Sequence, residues 1–265
     1  MAFSLPAGRI LSVCRRTGAA AALYVVALAV HAEDQPAVEV TIEAVTAVTA
    51  VARFRLGRYL ESADCPATIR FGEADRNTAL AFRFSPAADE AGEEAAPVLV
   101  ALNRQRRLPQ PVWVSRRTAG VTALGQLEDR DLATVGGADP LGADLPLAAL
   151  GGEGVRPGPE RLYQAGDYSS ALGLLLHNNT YAAVSELGFV LPLLDSNGLA
   201  VTWAGEPVMA AGWYRGPAWR SGALACEQAL QRLSRADDRQ VFVIFPEWVD
   251  GFAGPQQQIS EDDVQ

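Results

Sequence analysis

Lysine is missing from this 265-residue chain, so its 22 basic residues are all arginine, against 31 acidic residues and a formal net charge of −9. The choice of arginine says little about function, but the charge balance does. An acidic chain is a poor candidate for non-specific nucleic-acid binding, which needs a basic footprint on the phosphates. Of its three cysteines only Cys65 and Cys226 lie beyond residue 32, a pair too sparse for a metal site, which would want three or four clustered ligands. The catalytic signatures G-x-S-x-G, P-loop and H-E-x-x-H are also absent, and no carboxylate pair has a spacing that argues for glycosidase or protease chemistry. The chain therefore reads as a non-catalytic protein, with no cofactor or metal implied. No internal repeat of 20–50 residues is present.

What is present is apolar material: 49% of residues are hydrophobic, enough for one large domain or two modest ones with a real core. The first segment is set apart from that core. Arg9, Arg15 and Arg16 precede an apolar run from Gly18 to Val30, and Val30-His31-Ala32 gives a small-residue cleavage pattern. This is the layout of a secretory signal peptide over residues 1–32, with a run too short for a good membrane span. Its removal takes away three arginines and no acid. Cys65 and Cys226 then remain, and export permits a disulfide between them without requiring one. His177 is the remaining histidine.

Periodicity predicts alternating strands and helices, hence an α/β fold. "AVEVTIEAV" alternates as a strand. In the next segment Val48, Val51, Ala52, Leu56, Tyr59 and Leu60 share a helical face, with Thr46 or Thr49 as cap. "CPATIRFGEA", the stretch ending at Ser85-Pro86, "QPVWVSRR" and "LATVG" are further strands. An acidic, alanine-rich loop or weak helix follows Pro86, and a helix stops at Gly151-Gly152. A strand precedes Gly166, a helix runs from about Ser169 to His177, and "TYAAVSE", a helix and "LAVTW" follow. Near the end, Leu224, Ala225, Ala229, Leu230 and Leu233 mark the buried stripe of an amphipathic helix.

Two strand-to-helix turns, Gly136–Gly142 and Gly166–Ser170, open at strand C-termini, the edge where open α/β sheets bind ligands. Ser169 and Ser170 can cap the second helix or donate to a ligand, and Tyr168 can stack or donate its hydroxyl. Asp139 would cap a helix beginning at Pro140 and would repel a phosphonate by several kcal/mol at short range. Arg116 and Arg117 would suit a ligand anion or a surface pair. Trp213 and Tyr214 suit core filling, and His177 a helix C-terminus.

In order and spacing, "LEDRDLATVGGADPLG", "YQAGDYSSALGLLLHNNTYAAVSE" and "GLAVTWAGEPVMAAGWYRGP" resemble the phosphate/phosphonate-binding proteins of ABC importers, within the type II periplasmic binding proteins. The resemblance implies two lobes, each a mixed sheet flanked by helices. They would be joined by two crossover strands near Val112–Thr122 and Leu199–Tyr214 and would close on a ligand. The implied domains are 37–115 for the first part of lobe one, 116–205 for lobe two, 206–252 for the return with its C-terminal helix, and a disordered tail at 253–265. The implied ligand-binding residues are Ser85, Ala138, Asp139, Leu141, Gly142, Tyr168, Ser169, Ser170, Glu186 and Glu206. The turn hydroxyls that hold phosphonate oxygens in the family are replaced here by Ala138, Asp139, Pro140 and Leu141, and Pro140 has no N–H to donate. Glu186 and Glu206 would suit a cationic or hydroxyl-rich ligand better. The expectation is a periplasmic solute-binding protein taking a small polar or anionic, phosphonate-like ligand for an ABC permease or sensor. The alternative is a diverged member that serves a periplasmic sensory or redox partner. Neither expectation involves nucleic acid or a membrane span after signal cleavage.

Overall fold

The computed structural model describes residues 37–45, 50–85 and 96–255. The expected signal peptide, Val48 and the candidate caps Thr46 and Thr49, the acidic loop after Pro86 and most of the expected tail lie outside them. Among the described residues no helix is long and apolar enough to cross a membrane.

Two sheets organise the chain. The first is built from β1 (Val38–Ile42), β2 (Ala67–Phe71), β3 (Leu80–Phe84), β4 (Leu99–Leu102), β10 (Ala211–Arg215) and β11 (Gly251–Ala253). Its spatial order is β11-β4-β10-β3-β1-β2, with β1 parallel to β2 and β3 and the remaining pairs antiparallel. The second contains β5 (Pro111–Arg116), β6 (Leu132–Val135), β7 (Leu162–Ala165), β8 (Ala182–Glu186) and β9 (Leu199–Ala204). Its order is β7-β6-β8-β5-β9, with β6 parallel to β7 and β8 and with β5 antiparallel to β8 and β9. Both sheets are thus mixed, and the α/β two-lobed arrangement is established.

The helices follow their sequence logic, with local departures. In α1 (Ala50–Ser62), Ala52, Leu56 and Leu60 recur at four-residue steps and are buried. Val51, expected on that face, is 55% exposed, one position off the stripe. The helix ends in a turn where Asp64 takes φ 58°, just before Pro66. α2 (Asp144–Gly152) and α3 (Tyr168–Leu176) cover the second sheet, and His177 is the C-terminal cap of α3, as expected. The helix after β8 is a single turn, α4 (Leu187–Val190), continuing into a tighter turn over Leu191–Leu193, where Pro192 falls. α5 (Leu224–Arg232) buries Cys226, Glu227, Ala229 and Leu230, whereas Leu224, expected in the stripe, is exposed.

Tyr59 Oη of α1 donates to the carbonyl of Ala229 in α5 at 2.8 Å, and a Cys65–Cys226 disulfide joins the same two regions. Trp213 is fully buried among Phe82, Phe245 and Phe252, with ring centroids 5.5–6.1 Å away. It fills the core of the first lobe, as its apolar context suggests.

Pairing corrects two boundaries. The whole of β5 lies in the second sheet, so the chain first passes between the lobes at 103–110, not at 112–122, and the first stretch of lobe one ends before Pro111 rather than at 115. An apolar strand has the same periodicity whichever sheet it joins, and its partner cannot be read from it. β4 carried no strand expectation, because its four residues, all buried, show no alternation. At the other end, β11 runs through Ala253, the first residue of the expected tail.

Candidate functional site

The C-termini of the parallel strands meet across one cleft of about 560 Å³. From the first lobe come Glu43, Ala44 and Val45 after β1, Phe71, Gly72 and Glu73 at the end of β2, and Phe84 at the end of β3. From the second come the β6 turn, Val135 to Asp139, and the β7 turn, Gly166 to Tyr168. Pro246 and Glu247 of the C-terminal segment close the rim. The size suits a small ligand, at the edge where α/β sheets hold one.

The β6 turn is folded onto its own aspartate. Asp139 Oδ1 accepts from Leu141 N at 3.1 Å, its carbonyl accepts from Gly142 N at 2.9 Å, and Gly142 O accepts from Val135 N at 2.8 Å. A side chain at Gly142 would meet Val135 O at 2.9 Å, so only glycine allows this closure. The amides of Leu141 and Gly142, expected to face a ligand, are therefore used within the turn. Asp139 is not the cap of α2, which begins five residues later at Asp144. Its Oδ2 instead accepts from Tyr168 Oη and from Trp248 Nε1, both at 2.8 Å. It is 5% exposed, and burial pushes its pKa up to about 6 against the lowering effect of these three donors. Burial and the neighbouring Asp139 carboxylate drive Tyr168 upward too.

The β7 turn leads into α3, where Asp167 caps the helix by accepting from Ser170 N at 2.6 Å. Ser169 N donates to Glu247 at 2.8 Å, and Ser169 Oγ donates to the other oxygen of the same carboxylate. The two serines read as capping or ligand-binding residues thus have their amides answered by carboxylates.

The other expected residues are dispersed. Ser85 Oγ pairs with Tyr214 Oη at 3.0 Å. Glu186 is buried where the crossovers meet: it accepts from Asn103 Nδ2 at 2.8 Å, Gln110 N at 3.2 Å and Phe189 N at 2.7 Å. Beside it Gln110 Nε2 donates to Gly205 O at 2.6 Å and Val208 N to Pro109 O at 2.9 Å, tying the crossovers to each other. Burial raises the Glu186 pKa, and this residue braces the crossovers instead of lining the cleft. Glu206 is exposed in the second crossover, away from the lining residues. Arg117 pairs at the surface with Asp195 at 2.8 Å.

Of the expected set, the cleft brings together Ala138, Asp139 and Tyr168. Glu43, Phe71, Glu73, Phe84 and Glu247 line it and Trp248 stands behind it, none of them expected. For the last two a signal existed: "FPEWVDGF" places a carboxylate between apolar residues. Among the described residues no group of three or more His, Cys, Asp or Glu is arranged to hold a metal ion.

No protein-family model matches the chain, and no curated protein sequence does. Solved structures do. PhnD1 from Prochlorococcus marinus in complex with methylphosphonate is similar at a TM-score of 0.55 and 12% identity, over 86% of this chain and 96% of that one. XAC2383 from Xanthomonas citri bound to ATP is similar at a TM-score of 0.58 and 14% identity, over 85% and 94%. A binding-protein component of an ABC phosphonate transporter from Pseudomonas aeruginosa gives 0.53 and 11%, over 86% and 85%. The fold is that of a periplasmic binding protein. At these identities the likeness carries the architecture and leaves the ligand to the site itself. The cleft is acidic: Glu43, Glu73, Asp139, Asp167 and Glu247 line it, and among the described residues no arginine or histidine does.

Proposed function

We propose that the chain is an exported, non-catalytic solute-binding protein whose solute is a small organic cation, an amine or guanidine, held between the lobes. The observation that carries this reading is the set of carboxylates from both lobes lining a cleft that, among the described residues, no basic side chain lines. An oxyanion entering there would meet like charge at short range, where each pair costs on the order of 1 kcal/mol or more. The phosphonate-like ligand implied by the resemblance is thus disfavoured, and a cation gains from the same field. Closure follows from differential contact, since a solute touching both lobes favours the closed arrangement. Delivery to an ABC permease or a periplasmic sensor is the expected use.

One observation favours a second reading: the amides at the start of α3 are already occupied from within the chain. A protein that has given up small-molecule capture and serves a sensory or redox partner would look the same there. Thermal unfolding against arginine, putrescine, choline, phosphate and methylphosphonate separates the two. A cognate solute at 100 times its dissociation constant adds about 2.7 kcal/mol, a shift of about 5–10 °C for a chain of this size. Stabilisation by an amine supports the first reading; silence across the panel supports the second.

A further inference from the structure

Residues 246–248 leave the first lobe and come back to it. On one side Phe245 is locked against Phe82 and Trp213, and on the other Asp250 N donates to Leu102 O at 2.7 Å. Arg235 fixes the backbone between them, donating to Val249 O at 2.8 Å and Pro246 O at 2.9 Å. From this base two side chains reach into the second lobe. Trp248 meets Asp139, and Glu247 receives both the N–H and the O–H of Ser169.

A helix start offers unpaired amides and partial positive charge to any anion. At α3 the local cap Asp167 uses one amide, as caps ordinarily do. The Ser169 amide is taken by a carboxylate 78 residues away and on the opposite lobe. That contact exists only while the lobes are apposed, and it puts a carboxylate where a free oxyanion would take the N–H and O–H of Ser169.

We propose that Glu247 sets the charge selectivity of the cleft: it acts as an internal oxyanion that fills the seat at the start of α3, clasps the lobes and excludes free oxyanions. The proposal rests on the reading of the interlobe cleft as the solute site.

The test compares wild type with E247A, E247D, E247Q and D167N/E247A by thermal unfolding in sulfate, phosphate or methylphosphonate, at constant ionic strength in chloride. Asn at 167 keeps the cap while removing a neighbouring charge. Wild type and E247Q, which retains the contact, are expected to ignore 10 mM oxyanion, on the order of strength that a weak site would show. E247A should gain a saturable rise of about 5 °C, larger in the double variant. E247D, one methylene too short to reach Ser169, should behave as E247A and serves if E247A does not fold. Ser169 amide exchange should speed up at least about tenfold in E247A without oxyanion and slow again with it. Folded variants with no oxyanion response, or saturable sulfate binding by wild type, overturn the proposal. Amine binding by wild type alongside unresponsive variants would sink this inference and leave the proposed function standing. An oxyanion gain in the variants with no amine binding in wild type would do the reverse.

Discussion

Replacing Asp139 with Asn tests the buried node where the two lobes touch. The folded chain holds the Asp139 carboxyl at a pKa of about 6, against an ordinary value of 3.8. Between those values the folded state keeps a proton that the unfolded state has lost, so folding stability falls as pH rises through about 4 to 6 and levels off above. The full swing is about 3 kcal/mol, of which roughly half falls between pH 5 and pH 8. The nearby Glu186 carboxylate raises Asp139 further. The difference between wild type and D139N isolates the aspartate. The variant brings its own defect, because Leu141 N–H, Tyr168 O–H and Trp248 N–H all donate into a side chain that now has one acceptor and one donor. That costs about 1–3 kcal/mol and is partly offset by removing a buried charge. The absolute stability of D139N therefore moves little at pH 8, and the slope is diagnostic. Urea unfolding followed by tryptophan fluorescence from pH 5 to 8 should show wild type losing on the order of 1 kcal/mol more than D139N. A difference that is flat, or that grows in favour of wild type as pH rises, would refute the reasoning.

Three further outcomes follow from the packing. Replacing both Cys65 and Cys226 with Ser opens a loop of 161 residues, and chain entropy alone puts the loss at up to about 5 kcal/mol, read as a lower urea midpoint that reduction of wild type should reproduce. E186A leaves Asn103 and the amides of Gln110 and Phe189 without their acceptor, so it should cost about 3 kcal/mol and raise protease cleavage at the crossovers, 103–110 and 205–210. G142A forces a methyl group against Val135 O and should cost about 1–3 kcal/mol, whereas G151A, with open space around its Cβ position inside α2, should be neutral or stabilising in thermal unfolding.

Much of the architecture was legible because periodicity and turn chemistry are local. The β6 and β7 turns and the aromatic filling around Trp213 follow from short windows, whereas the cap of α3 is Asp167 and not the serines after it. What periodicity leaves open is partnership. β5 reads as an apolar strand in either lobe, and only pairing with β8 and β9 assigns it. The site suffered for the same reason. Asp139 looked like a helix cap because Pro140 follows it, but its partners Tyr168 and Trp248 are 29 and 109 residues away. Glu186 looked like a cleft residue by position along the chain, but the fold buries it against the first crossover, on Asn103 and Gln110. Glu247 sits in a stretch that reads as the close of the core, and its contact with Ser169 depends on two lobes coming together.

Calorimetric titration of wild type, unfolded and refolded to strip any carried solute, addresses the ligand directly. Arginine, putrescine, choline and methylphosphonate are titrated at low and high sodium chloride. Saturable one-to-one heat with at least one of the cationic compounds, weakening as salt rises, is predicted, with none from methylphosphonate. Saturable binding of methylphosphonate with every cationic compound silent would contradict it.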